Sequence, residues 1–324
     1  MHRPKQGYLK CYYGYKNFGD EMLAFGVINR IFRSHPTIET LYIEVGNKER
    51  FDSRLDKNSH YIDTDLCKVE TIQKNNYWRV LTKWLCNPKA LKFLGWGELF
   101  TEARGRFYGW WNYALLFWAD FLRKNVIMLG GFWTPTTKRL RLLYKLTVNK
   151  CQQILVREQS SYEVIANYLT NKRVNLVKVD DFSTEVVKKW QSRQKDIKTT
   201  KESQNIALIN LTPYRQTETD IDAIRLSVHV WWHCLHVYFP CWQEDVDILW
   251  QLKVIIPGIT AYYRRLYDVD TILTYMSTVS TSVWSRLHFL YILHLLGVKA
   301  TPIVYQEKIT KFMEEYGMGE SAKK

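Results

Sequence analysis

At 324 residues the chain is long enough for two domains of roughly 100–200 residues each, and with 46% hydrophobic residues it can bury a large core. Its net charge of +14, from 46 basic and 32 acidic side chains, favours anionic partners. The chain holds no arginine-rich arm, zinc finger or RNA-binding sequence, so nucleic acid is not expected and an anionic substrate is preferred.

The six cysteines, Cys11, Cys67, Cys86, Cys151, Cys234 and Cys241, form no CxxC pair. Neither a disulfide framework nor a thiolate metal site is expected. The N-terminal stretch lacks an apolar signal core, which predicts a cytoplasmic protein. The longest apolar run, Phe107 to Leu122, falls short of the roughly 20 residues of a spanning helix and is interrupted by Asn112 and Asp120. It reads as a buried or interfacial helix. Peripheral contact with the inner face of a membrane stays open, as does a homo-oligomer. The 15% content of aromatic residues suits a large core and also suits sugar-binding surfaces.

In chain order, Tyr8 to Tyr13 predicts a strand broken by Gly14 and the turn Asn17-Phe18-Gly19-Asp20. Glu21 to Phe32 carries an apolar face of helical period, and Leu41 to Val45 reads as the next strand. Lys92 to Leu94 leads into Gly95-Trp96-Gly97. Val126 to Leu129 is a strand ending in Gly130-Gly131, and Lys138 to Lys150 a basic amphipathic helix. Ile154 to Val156 precedes Ser160-Ser161, which read as the cap of a helix from Tyr162 to Leu169. Val174 to Val179 ends in Asp180-Asp181.

The polar run 188–203 supplies a linker, set at 191–203, between an N-terminal domain of 1–190 and a C-terminal one of 204–324. Beyond it, Ile206–Leu211 and Leu235–Phe239 read as strands, Asp245–Leu252 as a helix, and Thr278–Val283 as a strand. Arg286–Leu296 is then helical, Val298–Tyr305 a strand and Lys308–Tyr316 a helix. This alternation predicts an α/β fold of two Rossmann-like, doubly wound domains facing a central cleft, glycosyltransferase-B-like in architecture.

Several pieces resemble the polysaccharide pyruvyl transferase family in order and spacing. Its N-terminal signature is similar to Tyr12-Tyr13-Gly14-Tyr15-Lys16-Asn17-Phe18-Gly19-Asp20-Glu21, and its second glycine turn to Gly95-Trp96-Gly97-Glu98. Val156-Arg157-Glu158-Gln159-Ser160-Ser161 and Asp180-Asp181-Phe182 resemble later motifs. The strongest match is Ser285-Arg286-Leu287-His288 followed by a helix and Gly297-Val298, and Tyr305-Gln306-Glu307-Lys308 is similar to the closing lysine motif. Two departures stand at turns: Trp96 between the glycines, and Phe132-Trp133 before Pro135. They bear on the acceptor.

The resemblance implies transfer of a pyruvyl group from phosphoenolpyruvate to a sugar of a cell-surface polysaccharide or its lipid-linked precursor, with no cofactor and no metal. On that reading His288, Arg286 and Asp20 are the catalytic candidates. Arg157, Ser285, Lys308, Asn17, Gly19, Gly95, Gly97 and Glu98 are the substrate-binding ones. Arginine forks suit a donor that carries a carboxylate and a phosphate, and protonating its enol carbon needs an acid and a base.

The residues alone leave other roles open. Asp20 can cap a helix, Arg157 can pair with Glu158 or Glu163, and Lys308 can be a solvated lysine. His229, His233 and His236 share a helical face without an HExxH pattern, and Trp231, Trp232 and Trp242 form either core or a sugar-stacking patch. A nucleotide-sugar-dependent glycosyltransferase and an inactive glycan-binding relative are the alternative functions, since fold alone does not separate them.

Overall fold

The computed structural model describes residues 5–13, 18–63, 67–73, 90–95, 126–130, 138–195, 204–211, 224, 234–238, 246–256, 258–261, 268–304 and 307–317. The Phe107–Leu122 segment, the Phe132–Pro135 turn, His229, His233, Trp231, Trp232 and Trp242 lie outside the described residues.

The chain divides into two compact units, one of Met1–Tyr15 with Val27–Asp181 and one of Lys16–Gly26 with Phe182–Lys324. The first holds a seven-stranded parallel sheet of β1 (Gln6–Tyr13), β2 (Thr40–Val45), β3 (Lys68–Gln73), β4 (Leu91–Gly95), β5 (Val126–Gly130), β6 (Gln153–Val156) and β7 (Asn175–Lys178). Its spatial order is β3-β2-β1-β4-β5-β6-β7. The central strands β4 and β5 are buried along their whole length, the pattern of a parallel sheet covered on both faces. Helices α3 (Lys138–Val148) and α4 (Gln159–Tyr168) contribute Tyr144, Val148 and Ile165 to a core with Tyr8, Leu94, Met128 and Ile154.

Three elements here carry a weak sequence signal. α1 (Phe18–Ser34) starts earlier than its apolar periodicity indicates. α2 (Lys48–Lys57) is almost wholly charged and buries only Phe51 and Arg54; it is held by an Asn47 cap whose Oδ1 accepts from Arg50 N–H at 2.9 Å. β3 is mostly half-exposed.

The second unit holds a five-stranded parallel sheet in the order β10-β9-β8-β11-β12. Its strands are β8 (Gln204–Asn210), β9 (Leu235–Tyr238), β10 (Thr260–Ala261), β11 (Val279–Trp284) and β12 (Lys299–Pro302). Around them the chain forms α5 (Ser183–Lys195), α6 (Val246–Ile255), α7 (Val269–Thr278), α8 (Leu287–Leu295) and α9 (Glu307–Glu315). α8 is apolar nearly all round and buries Leu287, Phe289, Leu290, Tyr291, Ile292 and Leu293, the mark of a central helix. It ends in a Schellman motif: Gly297 N–H donates to the His294 carbonyl and Val298 N–H to the Leu293 carbonyl, both at 3.0 Å. Gly297 takes φ +72°, which explains a glycine at this position.

The units divide at Asp181/Phe182, and α5 runs through the start of the expected linker. Its charged sequence hides an apolar edge: Val186, Val187 and Trp190 are buried. Thr184 Oγ1 donates to the Tyr291 hydroxyl at 3.2 Å, and Gln191 Nε2 to the Leu295 carbonyl at 3.2 Å. The helix is therefore docked on α8 rather than extended between domains. Ser160 and Ser161 also differ from expectation. α4 begins at Gln159 with Glu158 at the cap position, and Ser161 Oγ donates to Glu158 Oε2 at 3.2 Å.

Two local arrangements are demanding. A Cβ on Gly26 of α1 would lie 1.9 Å from the Phe182 carbonyl oxygen, so helix and turn touch backbone to backbone. Arg157, at the end of β6, donates from Nε to Glu158 Oε1 at 2.7 Å and from Nη1 to Asp181 Oδ2 at 2.9 Å, with its side chain only 11% exposed. Burial works against its charge, but the two carboxylates outweigh burial and raise its pKa above the ordinary arginine value. A raised pKa stabilises the fold below the unfolded-state value and is lost only above it. That unfolded value lies far above neutral pH, so the clamp holds across the working pH range.

Gly26→Ala gains about 1 kcal/mol of helix propensity but meets backbone that has no rotamer to yield. A net loss of about 3 kcal/mol is expected from urea unfolding, while Gly258→Ala, with open space around the added carbon, stays near neutral. Arg157→Ala removes the cation that two carboxylates share in a poorly solvated place, and a loss of about 3–5 kcal/mol is expected in the same measurement.

Candidate functional site

In an open parallel sheet, ligands bind beyond the carboxyl ends of the strands where the winding reverses. In the second unit the chain steps outward from β8 to β9 and β10, then returns to place β11 beside β8. The reversal therefore lies between the ends of β8 and β11, at Asn210 and Trp284. Ser285 extends this pair by one step. Its N–H donates to the Asn210 carbonyl at 3.2 Å, and its Oγ donates to Asn210 Oδ1 at 3.4 Å. Both residues are buried, so the turn leaving β11 is fixed from behind.

Arg286 follows as the N-cap of α8, in extended conformation (φ −96°, ψ 120°). Its carbonyl accepts from Phe289 N–H and Leu290 N–H, each at 3.1 Å, which closes the first turn. The side chain of Arg286 makes no cap hydrogen bond and is half-buried. No acidic residue occupies the first turn of α8, so its N-terminal dipole is not countered by the helix's own carboxylates. A cation and a helix N-terminus at a switch point form a setting for an anion.

His288, half-buried in that first turn, meets the start of α1. A Cβ on Gly19 would stand 2.9 Å from His288 Cβ and 3.4 Å from its Cγ and Cδ2. The absent side chain is what lets the imidazole lie against the helix. Asp20 comes next, its Oδ1 3.8 Å from His288 Nε2, with both side chains about a fifth exposed. That distance exceeds a hydrogen bond, but it is an ion-pair contact whenever His288 is protonated.

Gly19, Asp20, Ser285, Arg286 and His288 are thus brought to one place in the second unit, although the sequence carries them at opposite ends. Asn210 is the residue that motif reading missed; its only sequence signal is a polar side chain ending the apolar run Ile206–Ile209. Arg157 belongs to the first unit, where Glu158 and Asp181 hold it. Glu163, the other partner weighed for it, accepts from Gln159 Nε2 at 3.1 Å instead. Gly95 ends β4, and an added Cβ would lie 2.6 Å from Leu129 Cβ on β5, so strand packing explains this glycine. Asn17, Gly97 and Glu98 lie outside the described residues, as does the side chain of Lys308 in α9. In the first unit the winding reverses between β1 and β4, and the Gly14–Asp20 and Gly95–Glu98 motifs follow those two strands in sequence.

Among solved structures the fold is shared with UDP-GlcNAc 2-epimerase from Neisseria meningitidis bound to UDP-GlcNAc. The TM-score is 0.60 at 10% identity, covering 93% of this chain and 83% of that one. UDP-N-acetylglucosamine 2-epimerase from Rickettsia bellii matches at TM-score 0.56 and 8% identity, over 92% and 78%. Anabaena HepE in complex with UDP-glucose matches at 0.51 and 10%, over 92% and 80%. At such identities these neighbours establish the architecture, two Rossmann-like units of the glycosyltransferase-B-like kind. No curated protein matches the chain by sequence. The model of the polysaccharide pyruvyl transferase family matches residues 17–305, from the residue before α1 to three residues past β12. The chain belongs to the polysaccharide pyruvyl transferase family, and is a transferase by that membership.

Proposed function

We propose that this protein transfers the pyruvyl group of phosphoenolpyruvate to two hydroxyls of a sugar in a cell-surface polysaccharide or its lipid-linked precursor. The observation that carries the proposal is the apposition of Asp20 and His288 beside Arg286 at the β8/β11 reversal. It supplies a cation for an anionic donor and a titratable pair for proton transfer in one place.

The reaction sets the roles. Arg286 and the N-terminus of α8 hold the carboxylate or phosphate of the donor. His288, with Asp20 beside it, delivers a proton to the methylene carbon as that carbon becomes a methyl group. The adjoining carbon becomes oxocarbenium-like, one sugar hydroxyl attacks it and gives its proton back to His288, and the C–O bond to phosphate breaks. The second hydroxyl closes the ketal, and its proton leaves with the phosphate. Asn210 acts behind these groups by fixing the Ser285–Arg286 turn.

The structural neighbours named for UDP sugars share the fold at about 10% identity, and fold alone does not select a donor. No nucleotide cofactor is proposed. Isothermal titration with phosphoenolpyruvate and with UDP sugars separates the readings. Phosphoenolpyruvate is expected to bind, and Arg286→Ala to weaken it at least about tenfold, the loss of one charge-assisted bond. His288→Asn is expected to leave that affinity within a few-fold. It should cut phosphate release in the presence of saccharide acceptors by about 10²–10⁴. Tight binding of a UDP sugar with no response to phosphoenolpyruvate overturns the function. Unchanged affinity in Arg286→Ala overturns the site.

A further inference from the structure

α3 in the first unit has two unlike sides. Tyr144, Thr147 and Val148 are buried. Beside them Lys138, Arg141 and Lys145 are exposed at the i, i+3, i+7 spacing of one helical row. Alongside runs a second row, Leu142 and Leu146 at i, i+4, which are 60% and 45% exposed. The helix, KRLRLLYKLTV, contains no acidic residue. Single exposed leucines are ordinary. Two stacked leucines flanked by a row of three exposed cations form a directed surface.

We propose that this face of α3 docks the protein onto a bilayer surface that carries anionic lipid. The leucine row has the length and spacing to enter the boundary between headgroups and acyl chains, and the cations sit where lipid phosphates lie. Lysine and arginine stems reach along apolar surface while their heads stay with the phosphates. Near an anionic leaflet each cation contributes roughly fivefold in affinity, so three contribute about a hundredfold.

Charge argues against a second copy as the occupant. A twofold interface built on this face would set the cationic row against itself. Charge also separates α3 from α6, where Trp250 and Val254 are 67% and 84% exposed. The exposed cation there is Lys253, lying 4.6 Å from the Trp250 ring, and one cation does not make an anionic-lipid surface. No helix among the described residues is long and apolar enough to cross a membrane, so contact through α3 is contact with the surface. The proposal stands apart from the choice of donor. A lipid-linked acceptor would be met at the same surface.

Co-sedimentation of the full chain with vesicles tests it. One set is phosphatidylcholine alone; the other is three parts phosphatidylcholine to one part phosphatidylglycerol. Binding to the anionic set is expected to exceed binding to the neutral set by at least about tenfold. Lys138→Gln, Arg141→Gln and Lys145→Gln together should lower it about a hundredfold. Leu142→Ser with Leu146→Ser should lower it about tenfold or more at unchanged melting temperature, and Trp250→Ala should leave it unchanged. If the serine pair lowers the melting temperature, the glutamine triple alone decides. Equal binding to both vesicle sets overturns the proposal, and so does unchanged binding by the triple variant. A loss in Trp250→Ala equal to that of the serine pair assigns the contact elsewhere. A dimer in light scattering that the serine pair dissociates makes the face a self-interface instead.

Discussion

Two glycines on one side of α1 set the position of everything around the site. Gly19 lies against His288 and Gly26 against the carbonyl of Phe182, and seven residues apart they share a helix face. At those two positions no side chain holds the neighbour off. The first turns of α1 can therefore lie against the start of α8 and the turn that opens α5. This is why Lys16–Gly26 belongs to the second unit while the rest of the helix belongs to the first. The same contact places Asp20 next to His288, so the backbone constraint and the candidate chemistry have one cause.

Much of the fold was legible because parallel strands announce themselves. Val126–Leu129 and Ile154–Val156 are apolar runs bounded by glycine or polar residues, and both are strands. Elements that bury little were not legible. α2 buries one aromatic and one arginine. α5 carries lysine, arginine and glutamine around a narrow edge of Val186, Val187 and Trp190, so its composition reads as linker while its packing is that of a core helix. Pattern reading weighs the whole segment, whereas folding weighs only the buried side.

The site was legible in a different sense. Ser285-Arg286-Leu287-His288 is a weak signal on its own, since an arginine and a histidine two apart decide nothing. What spacing could not reveal was the partner. Asp20 reads locally as a helix cap, and Gly19 as a turn glycine. Only the fold shows that the glycine makes room for the imidazole and that the carboxylate faces it. Asn210 was missed for a related reason. It lies on a strand far from Ser285 in sequence, and its function as a brace exists only once β8 and β11 are side by side.

The two arginines that looked alike in sequence show how environment divides labour. Arg157 meets Glu158 and Asp181 in a poorly solvated place, and its charge is used up in holding β6, α4 and the turn before α5 together. A guanidinium shared by two carboxylates has little field left for a third anion. Arg286 stands at a helix N-terminus whose first turn carries no acid. There its charge adds to that of the helix dipole. Asp20 comes from another helix and faces the histidine, its Oδ1 3.8 Å from His288 Nε2.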